Sequence, residues 1–240
     1  MIMSSAAELK KFCKAAGADI AGIADLVSFK EDSVTIPAGL LFPYTRAVSV
    51  AMRLDDDIMD AIADLPTVPY ADHYRAVNGA LDRLTARIVE WITGRGYRSE
   101  AVPASKIEDT EKLLGAVSHK AIACMAGIGW QGKSLLIVSP EHGPRIRLAT
   151  VLTDMPLPPD KPLEQRCGTC RECTKACPAA AIRNVTSQGR YQGREEALDF
   201  NRCADRTFAN SQLPGIGARI CGVCVRACPY GKPKCIDKKR

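Results

Sequence analysis

Eight of the chain's 11 cysteines fall between Cys167 and Cys228, and their spacing constrains the fold more than any other feature. They read Cys167-x-x-Cys170-x-x-Cys173-x-x-x-Cys177-Pro178, then a lone Cys203, then Cys221-x-x-Cys224-x-x-x-Cys228-Pro229. Disulfide frameworks belong to small exported chains. Here Met1 to Lys10 shows no basic segment followed by an apolar run, so no secretory signal is evident and a cytoplasmic location is expected. No stretch of 18 apolar residues occurs, so no membrane span is expected either. Metal binding is the better reading of these thiols.

Three thiolates at equal gaps, then a Cys-Pro pair, form the run that holds [4Fe–4S] clusters in bacterial two-cluster ferredoxins, where the fourth cysteine serves the other cluster. The second half lacks one cysteine of the triplet, and Cys203 can supply it. Cluster one then takes Cys167, Cys170, Cys173 and Cys228. Cluster two takes Cys177, Cys203, Cys221 and Cys224. Paired CxxC motifs also build zinc ribbons, but even two-residue gaps ahead of Cys-Pro suit a cube better. The expectation is a brown protein with about eight iron and eight sulfide per chain. Cys13 and Cys124 lie on apolar helical patterns and read as packing residues, and Cys235 as a spectator near the tail.

The 240 residues are 46% hydrophobic and 25% charged, which excludes wholesale disorder and leaves room for one larger and one small domain. Residues 163–240 hold 15 basic and 7 acidic side chains, whereas residues 1–162 hold 18 and 20. A basic half can serve nucleic acid. Here the cations are interspersed with the cysteines, where they would offset the negative charge of thiolate-bound clusters, so nucleic acid is not an expected partner. Lys232, Lys234, Lys238, Lys239 and Arg240 read as a solvated tail.

Ser5-Ala6-Ala7-Glu8 fits a capping box, with an amphipathic helix running to Gly17. Strands are expected at 18–24, 47–52, 97–102, 134–139 and 145–153. Helices are expected at 56–64, 72–95 and 111–126, with a loop marked by Pro66 and Pro69. This alternation gives a layered α/β or α+β domain over residues 1–155. Pro156, Pro158, Pro159 and Pro162 form a stiff linker, and residues 163–240 form a small cluster domain.

Ala126-Gly127-Ile128-Gly129-Trp130-Gln131-Gly132-Lys133 resembles the AGLGWxGK stretch of epoxyqueuosine reductases. Ser139-Pro140-Glu141-His142-Gly143-Pro144-Arg145 and Leu152-Thr153-Asp154-Met155-Pro156-Leu157, with Lys161-Pro162, resemble the PExGPR and TDxPLxxDKP segments of reductive dehalogenases. Both families place these segments just ahead of the cysteine run. Weaker similarity reaches Asp72-His73-Tyr74. The matched stretch spans about residues 120–230.

The resemblance implies an α+β chain, with a nitroreductase-like α/β core that binds cobalamin followed by a small two-[4Fe-4S] ferredoxin-like domain. It implies an oxidoreductase whose corrinoid cobalt is reduced through the clusters; on the residues alone, a flavin in place of the corrinoid, or an empty core, stays open. A low-potential ferredoxin or flavodoxin would be the donor and a small molecule the substrate. Tyr74 is the expected proton donor, with Lys133 as its basic partner, and Gly129, Trp130, Gly132 and Lys133 form the cofactor-binding stretch. On the residues alone, Tyr74 reads as a surface helical tyrosine and Lys133 as a loop anchor. The sequence lacks a DxHxxG pattern, so His73, His119 and His142 read as hydrogen-bonding or surface residues. Where the reductases carry an acidic DSAP-type motif, this chain reads Val102-Pro103-Ala104-Ser105-Lys106-Ile107. It ends at Arg240 soon after the second motif, without the helical-repeat tail that helps those enzymes with transfer RNA, and it has no twin-arginine signal. A compact relative of both families is therefore expected. The alternative is an electron-transfer protein, or a reductase partner of a corrinoid or flavin protein, without substrate chemistry of its own.

Overall fold

The structure, a computed structural model, describes residues 2–27, Phe29 and residues 35–232. Cys235, Lys234, Lys238, Lys239 and Arg240 lie outside them. The chain divides into two compact units, neither continuous in sequence. One gathers Met1–Met52, Val77–Ile128 and Arg147–Leu163, and the other Arg53–Ala76, Gly129–Ile146 and Glu164–Arg240. The expected boundary near residue 163 is thus crossed twice by segments that join the cysteine-rich unit.

The first unit is built on a four-stranded sheet in the order β1 (Ile20–Asp25), β2 (Arg46–Arg53), β6 (Ile146–Thr153), β3 (Ser99–Val102). β1 pairs antiparallel with β2, and β3 with β6. The Thr45 N–H donates to the Thr153 carbonyl at one end of the β2–β6 pair and the Leu54 N–H to the Arg145 carbonyl at the other. Residue numbers rise on one strand as they fall on the other, so this central pair is antiparallel too. The two middle strands each bury at least five residues in a row, which is why they read as apolar runs and not as alternation. α1 (Ile2–Ala15) packs on β1 and buries Leu9 and Cys13. α3 (Val68–Thr93) buries Leu81, Leu84, Ile88 and Ile92 at helical spacing. Gly22 of β1 lies so close to the end of α4 (His119–Met125) that a Cβ there would be 2.0 Å from the Ala126 carbonyl oxygen.

Several expected boundaries move. α1 starts at Ile2, so Ser5 and Glu8 lie inside the helix and not at its cap. Pro69 is the second residue of α3, where its missing N–H costs nothing because first-turn N–H groups have no partner in the helix. The helix expected from residue 111 begins only at His119, with the Ser118 hydroxyl accepting the Ala121 N–H at 3.2 Å. Upstream, the Asp109 carboxylate takes the N–H groups of Glu111 and Lys112, and a local turn wins over a helical one. The proline-rich stretch is no free spacer. Leu157 is buried, and the Asp160 carboxylate accepts the Ile23 N–H at 2.8 Å. No helix among the described residues is long and apolar enough to cross a membrane.

In the second unit, β4 (Trp130–Gln131) and β5 (Ile137–Val138) form a short antiparallel hairpin. The strand expected over 134–139 shrinks to two residues because Leu135 adopts φ of 61°. α2 (Asp56–Asp60) is capped by the Asp55 carboxylate on the Ile58 N–H. α5 (Glu172–Ala176), α6 (Arg194–Ala197), α7 (Phe200–Ser211) and α8 (Val223–Ala227) complete the unit, with α5 packed on α8 and α2 on α8.

Candidate functional site

The eight cysteines of the motif lie in two groups, both inside the second unit. Cys167, Cys170, Cys173 and Cys228 ring a cavity of about 360 Å3. Cys177, Cys203, Cys221 and Cys224 ring another of about 420 Å3. Among the described residues, no three His, Cys, Asp or Glu side chains gather as a single ion requires. None of the ten described cysteines forms a disulfide, and Cys13 and Cys124 are buried.

The sequence explains the crossing. Cys173 sits inside α5 and Cys177 caps it, while Cys224 sits inside α8 and Cys228 caps that. A residue before proline is driven out of the α region. Pro178 and Pro229 accordingly leave Cys177 with ψ of 111° and Cys228 with ψ of 128°, both extended. Each short helix therefore delivers one sulfur to one cavity and its capping sulfur to the other. The Ala181 N–H points at Cys177 Sγ, 3.4 Å away. A small apolar core of Leu135, Ala181, Ile182, Tyr191, Ala197 and Leu198 supports Cys173, Cys177, Cys203 and Cys224.

Burial pushes the Cys228 thiol up to about 12, and neighbouring Cys167, Cys173 and Cys170 push the same way. Burial also raises Cys173, Cys221 and Cys224, the last of these helped by Cys221 and Cys203. Empty cavities would hold protonated thiols, and a metal must displace those protons to bind.

Among the expected cofactor-binding residues, Gly132 and Lys133 stand in the wall of the first cavity. A Cβ on Gly132 would come within 2.8 Å of Val138 Cγ2 and 3.6 Å of Cys167 Sγ. Gly129 and Trp130 build the hairpin behind. Trp130 is fully buried, with its ring edge-on to Tyr230 at 4.9 Å between centroids. The Lys133 side chain is buried, and its ammonium donates to the Cys170 carbonyl at 2.9 Å and to Asn184 Oδ1 at 3.1 Å. Lys133 is thus committed to the cysteine loop. Tyr74 stands on α3 with its ring edge-on to Tyr70. The neighbouring His73 accepts the Asp55 N–H on Nε2 at 3.0 Å and so braces the start of α2.

Two residues quoted only as part of a segment turn out to hold the site together. Gly143 crosses the backbone next to Cys228: its Cβ would lie 2.0 Å from the Tyr230 carbonyl oxygen. Arg145 is fully buried and donates to Asp56 at 3.0 Å and to Asp60 at 2.5 Å, which clamps α2 to this loop. Burial works against its charge, but Asp60 and Asp56 outweigh that and raise its pKa, while Arg145 holds the Asp60 carboxyl below its usual range. Sequence reasoning also missed Arg206, which lines the second cavity and follows Cys203 by one helical step of three residues.

Residues 166–231 match the family described as a 4Fe-4S double cluster binding domain. The chain is 32% identical over 169 residues to an epoxyqueuosine reductase of Bacillus cereus, covering 67% of this chain and 39% of that protein. It is 37% identical to an epoxyqueuosine reductase of a Synechococcus strain over 80% of this chain and 57% of that one. Tetrachloroethene reductive dehalogenase of Sulfurospirillum multivorans is 36% identical over 49% of this chain and 24% of its own. Among solved structures, epoxyqueuosine reductase from Bacillus subtilis superposes with a TM-score of 0.62 at 26% identity, covering 96% of this chain and 66% of that one. A catabolic reductive dehalogenase in complex with 3-bromo-4-hydroxybenzoic acid gives a TM-score of 0.73 at 19% identity over 97% of this chain and 32% of that one. The chain spans about two fifths of the length of the first of these curated relatives.

Proposed function

We propose that this chain, a relative of epoxyqueuosine reductases and reductive dehalogenases, is an iron–sulfur reductase that feeds single electrons through its second unit to a cofactor held elsewhere in the chain. The observation that carries this reading is the sorting of eight cysteines into two rings of four, each ring drawing on both halves of the motif. Cys167, Cys170, Cys173 and Cys228 hold one [4Fe–4S] cluster, and Cys177, Cys203, Cys221 and Cys224 the other. When bound, the clusters supply one-electron transfer at low potential. Lys133 places a buried cation against the first ring, Gly132 keeps that wall open, and Pro178 and Pro229 turn the capping sulfurs outward.

A corrinoid belongs to the same reading, in a core of the nitroreductase type. It is supported by the likeness in fold to a reductive dehalogenase of B12-dependent mechanism, with a TM-score of 0.71 at 18% identity. His73 Nε2 is occupied by the Asp55 N–H, and both ring nitrogens of His119 are engaged, with Thr150 Oγ1 and the Pro103 carbonyl. Tyr74 is the residue proposed to give the proton. Lys133, tied to Cys170 and Asn184, serves the cluster side. A structural neighbour solved with a modified tRNA stem loop, at 25% identity and a TM-score of 0.62, keeps nucleic acid among the substrates to test beside small molecules.

The test is anaerobic purification followed by iron and sulfide assays, an absorption spectrum and titration with cobalamin. About eight iron and eight sulfide per chain, with cobalamin bound and reduced on adding dithionite, are expected. Clusters with no cobalamin uptake would reduce the chain to an electron carrier. Two zinc and no sulfide would end the proposal.

A further inference from the structure

Each cysteine ring carries one cation in its wall, and the two cations are held differently. At the first ring, Lys133 already spends hydrogen bonds on the Cys170 carbonyl and on Asn184. At the second ring, Arg206 has only its far end tied: its terminal nitrogen donates to the Asp64 carbonyl at 2.8 Å. The Arg206 Nε is buried and has no hydrogen-bond partner among the described residues. Arg206 lines the cavity beside Cys177, Cys203, Cys221 and Cys224, on the same helix as Cys203.

A buried N–H without an acceptor is costly, so its presence calls for a partner that protein atoms do not supply. The chemistry lining this cavity is sulfur. An anchor on one nitrogen fixes the plane of the guanidinium and with it the direction of the Nε–H bond, as a flexible ammonium could not. Hydrogen bonds to cluster sulfurs raise reduction potential, because they stabilise the more negative, reduced state.

We propose that Arg206, anchored at Asp64, donates its Nε–H to a sulfur of the second cluster and raises the potential of that cluster relative to the first. This rests on the cluster reading above. Arg206 is a positioning and tuning residue: it makes no bond to iron. Asp64, on the chain between α2 and α3, thereby sets the geometry of a donor inside the cysteine-rich lobe.

The experiment is an EPR-monitored redox titration of the full chain, purified anaerobically, in wild type, Arg206→Gln and Arg202→Gln. Arg202 lies on the same helix with a side chain 61% exposed, and it serves as a charge control. Arg206→Gln should retain about eight iron per chain and shift one of the two potentials downward while the other stays. Arg202→Gln should leave both unmoved. In protein labelled with [15N]arginine, the reduced second cluster should show a nitrogen coupling that Arg206→Gln abolishes. Unmoved potentials in Arg206→Gln, an equal shift in Arg202→Gln, or loss of half the iron would each overturn the assignment. Absence of any [4Fe–4S] signal in the wild type would overturn the cluster reading itself, and a null result with both clusters present bears on Arg206 alone.

Discussion

Gly143 and Tyr230 cross backbone to backbone, so that a Cβ on Gly143, whose φ is +56°, would sit 2.0 Å from the Tyr230 carbonyl oxygen. The contact is reciprocal: a Cβ on Gly231 would lie 2.3 Å from the His142 carbonyl oxygen. Tyr230 follows Cys228 by two residues, so this crossing locates a sulfur of the first ring.

Gly143→Ala should therefore strip one cluster selectively. Both the left-handed φ and the overlap act against alanine, at a cost on the order of 3 kcal/mol. Iron should fall from about eight to about four per chain. Full iron in this variant would show that the crossing can relax without moving Cys228.

Arg145 should be needed for stability and not for iron binding as such. Arg145→Met takes away the cation that Asp56 and Asp60 share, leaving Asp56 with Arg53 alone, and the cost should be about 3 kcal/mol in urea unfolding. Arg145→Lys keeps the charge but cannot fork to both carboxylates, so it should recover only part of the loss. Equal stability of Met and Lys variants would mean that packing, and not the ion pair, sets the need for arginine.

The crossed ligand sets make a pairing prediction. Cys170→Ala and Cys228→Ala should abolish the same EPR signal, although 58 positions separate them. Cys177→Ala and Cys221→Ala should abolish the other. If Cys177→Ala instead erases the signal lost in Cys170→Ala, each run keeps its own cluster.

His119 gives a pH signature. Burial lowers its pKa from 6.5 to about 4; the Pro103 carbonyl acts the other way, and nearby Arg147 adds to the lowering. The unfolded chain then binds the proton more readily than the folded one below pH 6.5. Stability is complete above that pH, declines as pH falls toward 4, and levels off below it. Between pH 7.5 and 5.5 the loss should be about 1 kcal/mol, measured by urea unfolding, and it should be smaller in His119→Gln. Identical slopes in both proteins would place the titration elsewhere.

The cysteine rings were legible in the sequence because the spacing acts locally: Cys-Pro ends a helix wherever it occurs, and the ring it feeds follows from one turn. The core strands were legible because β2 and β6 are apolar along their length. Other features depend on tertiary contacts that no short window contains. That residues 53–76 belong with the cysteine-rich unit depends on Arg145 reaching Asp56 and Asp60 across more than 80 positions. The hydrogen bonds of Lys133 to the Cys170 carbonyl and to Asn184 likewise join segments far apart in the sequence. The helix expected from residue 111 failed for a local reason that was visible in principle: Asp109 can capture two N–H groups of the would-be first turn.

One consequence follows from α5 and α8. Each spans five residues and hands its inner and capping sulfurs, four positions apart, to opposite rings. Four residues of helix advance about 6 Å. The gap that a tunnelling electron must cross between the two cofactors is therefore ruled by helical pitch, and neither solvent viscosity nor any hinge elsewhere in the chain should gate that hop.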